Sequence, residues 1–458
     1  MQTGQITMKI EFGYGKEIQT VEVPDENLVD VLMSNPVEHE RRGADAVRYA
    51  LDNPIGTARL RDIVAAKAAG FSGESRDAGF SGESKAASGG ADSTADSGSG
   101  RRPKVVIVTS DISRPLPSYD VLPSVLDELY EAGCRPEDIT VIIALGSHRS
   151  NTEEEHRRLV GDRCFSEVKV VDSSREDLIH LGTTVRGTPV DYDRRVVEAD
   201  IRICLGNIEF HYFAGYSGGC KAIMPGVSTP AAIQMNHRMM ISEDSRTGKL
   251  EGNPVREDLE EACAMLGVDF IVNCVLDEHK KIVYAVAGDV VKAHRAGCKY
   301  LDKMYRKTVA EPADIILVSQ GGSPKDANLY QTQKALDNSK HIIKEGGTII
   351  LIGACNEGLG NATFEKWLKE ADAPQDLIDR IHADFKLGGH KAAAIAMVMQ
   401  KAEVYLVSEM DPEFVRSIFF IPASTAQAAF DAAMKKHGPD ARVIAMPFGG
   451  AVLPSLAK

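Results

Sequence analysis

The chain alternates short runs of β-branched and aliphatic residues with stretches of helical periodicity, and it does so in two series. KVVIVT at 104–109, ITVIIAL at 139–145, VKVV at 168–171 and IRICL at 201–205 read as buried strands. Between the first two, residues 119–132 space apolar side chains as a helix does, and Gly133 supplies the stop. The second series opens near 313, with DIILVS at 314–319 as strand, 325–344 as helix and GTIILI at 347–352 as strand. It continues with helices at 364–370, 375–382 and 392–401, and with strands at 403–407 and 417–421. Such βα repetition predicts an α/β fold with largely parallel sheets covered by helices.

A chain of 458 residues has room for two such domains. The helix-rich stretch 291–306 separates the series, so the expected division is 1–308 and 309–440. The segment from about 441 to 458 is expected to pack back on the first domain, with the active site in the cleft between the two. A nine-residue unit, AGFSGESRD then AGFSGESKA, repeats once at 69–86 and runs into a Ser/Gly/Ala/Asp-rich tract ending at Gly100. That composition cannot bury enough apolar surface to offset its ordering entropy, so 69–100 is expected to be a mobile insertion.

A formal net charge of -13 argues against nucleic acid or an anionic membrane as the main partner. No apolar run reaches membrane-span length and the N-terminal residues lack a secretory pattern, so the expected location is cytoplasmic. The eight cysteines are scattered without a C-x-x-C pair, which points to reduced core thiols; Cys220 alone abuts a reactive candidate, Lys221.

In open α/β sheets ligands gather beyond the carboxyl ends of the strands, and the polar clusters of this chain fall there. After 104–109 come Asp111, an acceptor for ribose hydroxyls or loop amides, and Arg114, a planar fork for carboxylate or phosphate. After 139–145 comes His148 beside Gly146, suited to acid/base work near neutrality. After 201–205 the segment 209–226 crowds His211, Lys221, several aromatics and several glycines into one loop. Thr229 and Pro230 then form a helix start that sets His237 two turns in, as a candidate metal ligand without the carboxylates or thiolates of a usual zinc site. In the second series Tyr330, Gln331 and Lys334 share one helix face, which either holds a small carboxylate or is simply solvated. Gly388-Gly389-His390-Lys391 is a further glycine-rich candidate.

Taken together, Asp111-x-x-Arg114-Pro115, Gly146-x-His148-Arg149, the His211-to-Lys221 loop and Tyr330-Gln331-x-x-Lys334 resemble the nickel-dependent lactate racemase family. The likeness runs from about residue 10 to 450, interrupted by the insertion, and includes Asn53-Pro54-Ile55-Gly56 with Leu60-Arg61. The resemblance implies a nickel-pincer nucleotide, built by separate biosynthetic enzymes and tethered to a lysine through a thioamide; Lys221 matches that lysine and His237 the nickel-binding histidine. It implies racemisation or epimerisation of a 2-hydroxy acid by hydride transfer, with His148 and His211 as the two acid/base histidines. Arg114, Gln331 and Lys334 would hold the substrate carboxylate or carbonyl oxygen. Asp111, Tyr330 and the backbone at Gly218 and Gly219 would meet the cofactor.

One departure bears on the substrate. The family tryptophan expected against the substrate has no match in place, because the single tryptophan, Trp367, lies in a charged helical stretch. The expected position reads Ala392-Ala393-Ala394-Ile395-Ala396-Met397-Val398, and small residues there predict a roomier pocket and a 2-hydroxy acid larger than lactate. Two other readings stay open on sequence. One is a zinc hydrolase or lyase using His148, His211 and His237; the other is a non-catalytic ligand-binding relative.

Overall fold

The computed structural model describes residues 6–73 and 101–457. The fold is α/β, built on two six-stranded sheets. In the first, the strands run in the order Ile282–Gly288, Phe270–Leu276, Ile201–Ile208, Val105–Ser110, Ile139–Ala144 and Lys169–Asp172. The outermost pair, Ile282–Gly288 and Phe270–Leu276, is antiparallel; every other neighbouring pair is parallel. Its inner strands are almost wholly buried because helices cover both faces, with separate apolar cores on each side, while the edge strand Lys169–Asp172 is partly exposed.

The second sheet is parallel throughout, in the order Ile421–Ala423, Ala402–Val407, Ile343–Ile352, Ala313–Ser319, Val443–Met446 and Leu28–Val31. Membership of this sheet crosses the division expected at 308. Leu28–Val31 enters it beside Val443–Met446, and the hairpin Thr7–Pro24 buries Ile10, Phe12, Val21 and Val23 against Ile315, Leu317, Ile350 and Ile352. The hairpin carries alternating buried and exposed residues and so needs one apolar surface; the face of the second sheet beside helix Ala426–His437 supplies it. The C-terminal segment likewise departs from expectation, since 443–446 belongs to the second sheet. Only Leu453–Leu456 turns back, pairing with the connecting strand Arg306–Val309.

Two element expectations are corrected by capping. The helix expected at 325–344 is Leu329–Ser339, started by Asn328, whose side chain accepts from the Gln331 amide. The strand expected at 417–421 starts only at Ile421: Ser417 ends helix Pro412–Ser417, which Asp411 caps, and the chain turns through Phe419 at φ +73° before Ile421–Ala423 pairs as strand. Helix Leu60–Gly73 runs into the start of the expected insertion, and from residue 74 to 100 that insertion lies outside the described residues. Among the described residues no helix is long and apolar enough to cross a membrane.

Candidate active site

The strand order of the first sheet reverses at Val105–Ser110: later strands add on one side through Ile139–Ala144 and on the other through Ile201–Ile208. A cavity of about 380 Å³ opens beyond the carboxyl ends of these three strands, where an open α/β sheet leaves a crevice. Its other wall comes from the second sheet's helices Leu329–Ser339 and Gly389–Lys401. Asp111, Arg114, His148, His211, Gly218, Lys221, His237, Tyr330, Gln331 and Lys334 all line it.

Gly219 does not. Its amide donates to Asn273 Oδ1 at 2.7 Å, so the group expected to meet a cofactor is already engaged. Glycine is required there all the same, because φ is +58° and a Cβ would sit 2.9 Å from the His294 ring.

Asp111 was expected as a cofactor contact, but both its oxygens face inward to the protein. Oδ2 lies 2.7 Å from His148 Nδ1, and Oδ1 accepts from the Ser113 hydroxyl at 2.6 Å. Burial alone would raise this carboxyl, yet the bonds from His148 and Ser113 hold it below its ordinary range. An ionised Asp111 takes the Nδ1 proton of His148 as a hydrogen bond, which leaves Nε2 with a free lone pair.

His211 is presented the other way round. It sits in the two-residue strand Phe210–His211, paired with Gly215–Tyr216. Its Nδ1 accepts from the Ala214 amide at 3.2 Å, so the neutral ring carries its proton on Nε2. That atom is 3.5 Å from Lys221 Nζ, on the 3-10 turn Gly219–Ala222. Burial, then the charges of Lys221 and Arg114, push His211 well below its ordinary pKa. Burial, then Arg256 and Arg114, do the same to Lys221.

His237 ends helix Pro230–His237, which Thr229 caps through the Ala232 amide with Pro230 at the first position, as the sequence predicts. Asn236 fixes the histidine's tautomer. Asn236 Nδ2 donates to Asp258 Oδ2 at 2.8 Å and to the Val255 carbonyl at 3.1 Å, which turns its Oδ1 toward His237 Nδ1, 3.1 Å away. Nδ1 therefore holds the proton and Nε2 keeps a lone pair, the state a metal ligand needs. Burial and then Lys221 keep this imidazole well below its usual pKa, hence uncharged.

Sequence reasoning passed over several residues that matter here. Arg256, fully buried, donates from Nε to the Ala214 carbonyl at 3.1 Å and from a terminal nitrogen to the Tyr216 carbonyl, holding the loop that carries His211. His294 binds the Ser217 carbonyl at 2.7 Å from below. Only the positions of their partners in the fold reveal either. His390 and Lys391, flagged in sequence only as part of a glycine-rich run, line the cavity. Ala392, Ala393 and Ala396 instead pack into the core of the second sheet, so the pocket is not widened by those alanines. Trp367 is also core, 1% exposed, away from the lining.

Among the described residues no group of three or more His, Cys, Asp or Glu side chains is arranged to hold a metal. His148, His211 and His237 therefore do not make a three-ligand zinc site. A group that brings its own donors and takes one imidazole fits better: Lys221 offers a buried amine whose pKa burial lowers, and His237 an oriented neutral nitrogen.

Fold and cavity define a two-body α/β protein whose reactive side chains converge between the bodies. The chain belongs to the lactate racemase family: the family's N-terminal domain matches residues 14–69 and 91–248, and its C-terminal domain matches 308–453. A lactate racemase of Thermoanaerobacterium thermosaccharolyticum is 32% identical over 97% of this chain and 98% of its own length. One from Lactiplantibacillus plantarum is 28% identical over 97% and 99%. The solved lactate racemase apoprotein from T. thermosaccharolyticum superimposes with a TM-score of 0.83 at 31% identity, covering 98% of this chain and 100% of that one.

Proposed function

We propose that this chain is a racemase or epimerase of 2-hydroxy acids that works with a nickel-pincer nucleotide tethered at Lys221. The observation that carries the reading is the pair of cavity histidines with opposite tautomers, His148 with a free Nε2 and His211 with a protonated Nε2. A reaction that reforms the same stereocentre from either face needs an acid/base group for each enantiomer.

When bound, the nickel-pincer group supplies the acceptor and donor of the substrate's C2 hydride. Lys221 would hold it by a thioamide and His237 Nε2 would ligate the nickel. His148, braced by Asp111, takes the hydroxyl proton of one enantiomer at Nε2 and returns it when C2 is re-formed. His211 serves the other enantiomer, exchanging its Nε2 proton with the substrate oxygen. Arg114, Gln331 and Lys334 orient the carboxylate and steady the developing oxyanion. Tyr330 and Gly218 contribute lining beside the cofactor. The partners of this reading are a small 2-hydroxy acid, larger than lactate, and the enzymes that build the cofactor.

The test is to express the protein beside the cofactor-building enzymes, weigh the Lys221 peptide and follow optical rotation of 2-hydroxy acids. A nucleotide-sized mass on Lys221, with rotation lost in Lys221→Ala, is expected. Rotation in a Lys221→Ala variant would refute the tether.

A further inference from the structure

Four cationic side chains line the cavity, Arg114, Lys221, Lys334 and Lys391, against two acidic ones, Asp111 and Glu209. Asp111 is engaged by Ser113 and His148. With Lys221 as the proposed tether, Arg114, Lys334 and Lys391 remain to meet the nucleotide phosphate and the substrate, and a simple 2-hydroxy acid brings one carboxylate. The imbalance centres on Lys391. It is 4% exposed and lies on the first turn of helix Gly389–Lys401. Its Nζ donates to the Tyr330 carbonyl and stands 3.9 Å from the Tyr330 ring centroid and 5.8 Å from that of Tyr212. Among the described residues no carboxylate reaches it as an ion pair; Asp337 is bound through Oδ1 to Lys340 at 2.7 Å and acts on Lys391 only through its charge, its buried Oδ2 having no hydrogen-bond partner.

A buried ammonium held by one backbone carbonyl and two aromatic faces is costly, because those partners replace only part of its hydration. Burial first, and then the like charge of Lys334, push Lys391 well below its ordinary pKa. Lys334 and Lys391, from neighbouring helices, line the same cavity, and burial and then like charge lower the pKa of each, an arrangement that an entering anion relieves although Glu209 acts on Lys334. Tyr330 and Tyr212 turn their ring faces to the amine, and His390 stacks on Tyr212 at 5.9 Å.

We propose that the substrate is a 2-hydroxy acid carrying a second carboxylate, and that Lys391 receives that distal group while Arg114 and Lys334 hold the one beside the reacting carbon. This rests on the racemase reading above and narrows its substrate class. The distal carboxylate pairs with the Lys391 amine in place of lost water, so recognition depends on the second anion rather than on chain length.

Calorimetry on the full-length protein purified without cofactor compares 2-hydroxysuccinate with 2-hydroxybutyrate, which has the same carbon count but a terminal methyl. The dicarboxylate is expected to bind at least about tenfold more tightly, as one charge-assisted contact implies. Lys391→Met should remove that preference and Lys391→Arg should largely keep it, with both variants melting cooperatively. Equal binding of the two acids by wild type, or an undiminished preference in Lys391→Met, would overturn the proposal. So would a Lys391→Met variant that loses nicotinate mononucleotide binding more than 2-hydroxysuccinate binding, since the lysine would then serve a phosphate. Kinetics of the cofactor-loaded enzyme separate the two claims. Racemisation of 2-hydroxybutyrate at least as efficient as that of 2-hydroxysuccinate sinks the dicarboxylate and leaves the racemase. A calorimetric preference without any racemisation does the reverse.

Discussion

His211 Nε2 stands 3.5 Å from Lys221 Nζ, and burial pushes both groups well below their ordinary pKa values. Because the Ala214 amide occupies Nδ1, the histidine's Nε2 proton points toward the lysine nitrogen. A free lysine therefore ties up the Nε2 that the proposed chemistry uses. The proposed acylation would turn the amine into a poor acceptor and release that N–H toward the cavity.

Asp111→Asn should lower kcat by on the order of 10²–10⁴-fold, the range general acid/base groups supply, while changing the melting temperature little. The amide can still meet His148 Nδ1, but as an uncharged partner that no longer enforces the tautomer. Steady-state kinetics of the loaded enzyme with each enantiomer provide the check.

Asn236→Leu removes the oxygen that holds His237 Nδ1 and leaves the ring free to turn. Nickel retention by loaded protein should fall roughly 10–100-fold, the usual cost of losing a group behind a metal ligand. Metal analysis after dialysis against a chelator measures it, and unchanged retention would remove Asn236 from the site.

Arg256→Leu should destabilise the fold by roughly 1.5–3 kcal/mol, since it strips a charged donor from the carbonyls of Ala214 and Tyr216 in the loop carrying His211. Denaturant unfolding of the variant, read by its midpoint, tests this.

Stability should fall as the pH drops from 7 toward 4.5. Burial pushes His341 down to about 4 and His390 to about 3, and His294 well below 6.5. Between those lowered values and 6.5 the unfolded chain binds more protons than the folded one, so acid favours unfolding throughout that window. The buried carboxylate Glu128, at about 2 against an ordinary 4.5, adds its own loss only below that range. Melting curves at half-unit intervals should therefore show a decline that begins near 6.5, and His341→Gln should flatten it.

Much of this molecule is legible along the chain. The aliphatic runs at 104–109, 139–145, 201–205, 314–319 and 347–352 all became parallel strands. The Thr229-Pro230 signal opened the helix it predicts. Local rules suffice there, because a buried parallel strand announces itself by composition and a cap by one hydroxyl and one proline. They misjudged 417–421, where the end of helix Pro412–Ser417 and a turn through Phe419 at positive φ delay the strand to Ile421. The hairpin at 7–24 was invisible as part of the second body, since nothing local says which of two sheets will cover an amphipathic ribbon.

The sequence by itself determined the α/β class, the strand-end placement of the reactive residues and the family motifs, all set by spacings of a few residues. Only the tertiary structure decided how those residues face one another. Asp111 became the brace of His148, Gly219 turned its amide to Asn273, and Lys391 came to stand over Tyr330 at the cavity wall. Such relationships depend on which side chains burial leaves without water, and that is fixed by packing between segments hundreds of residues apart rather than by any local pattern.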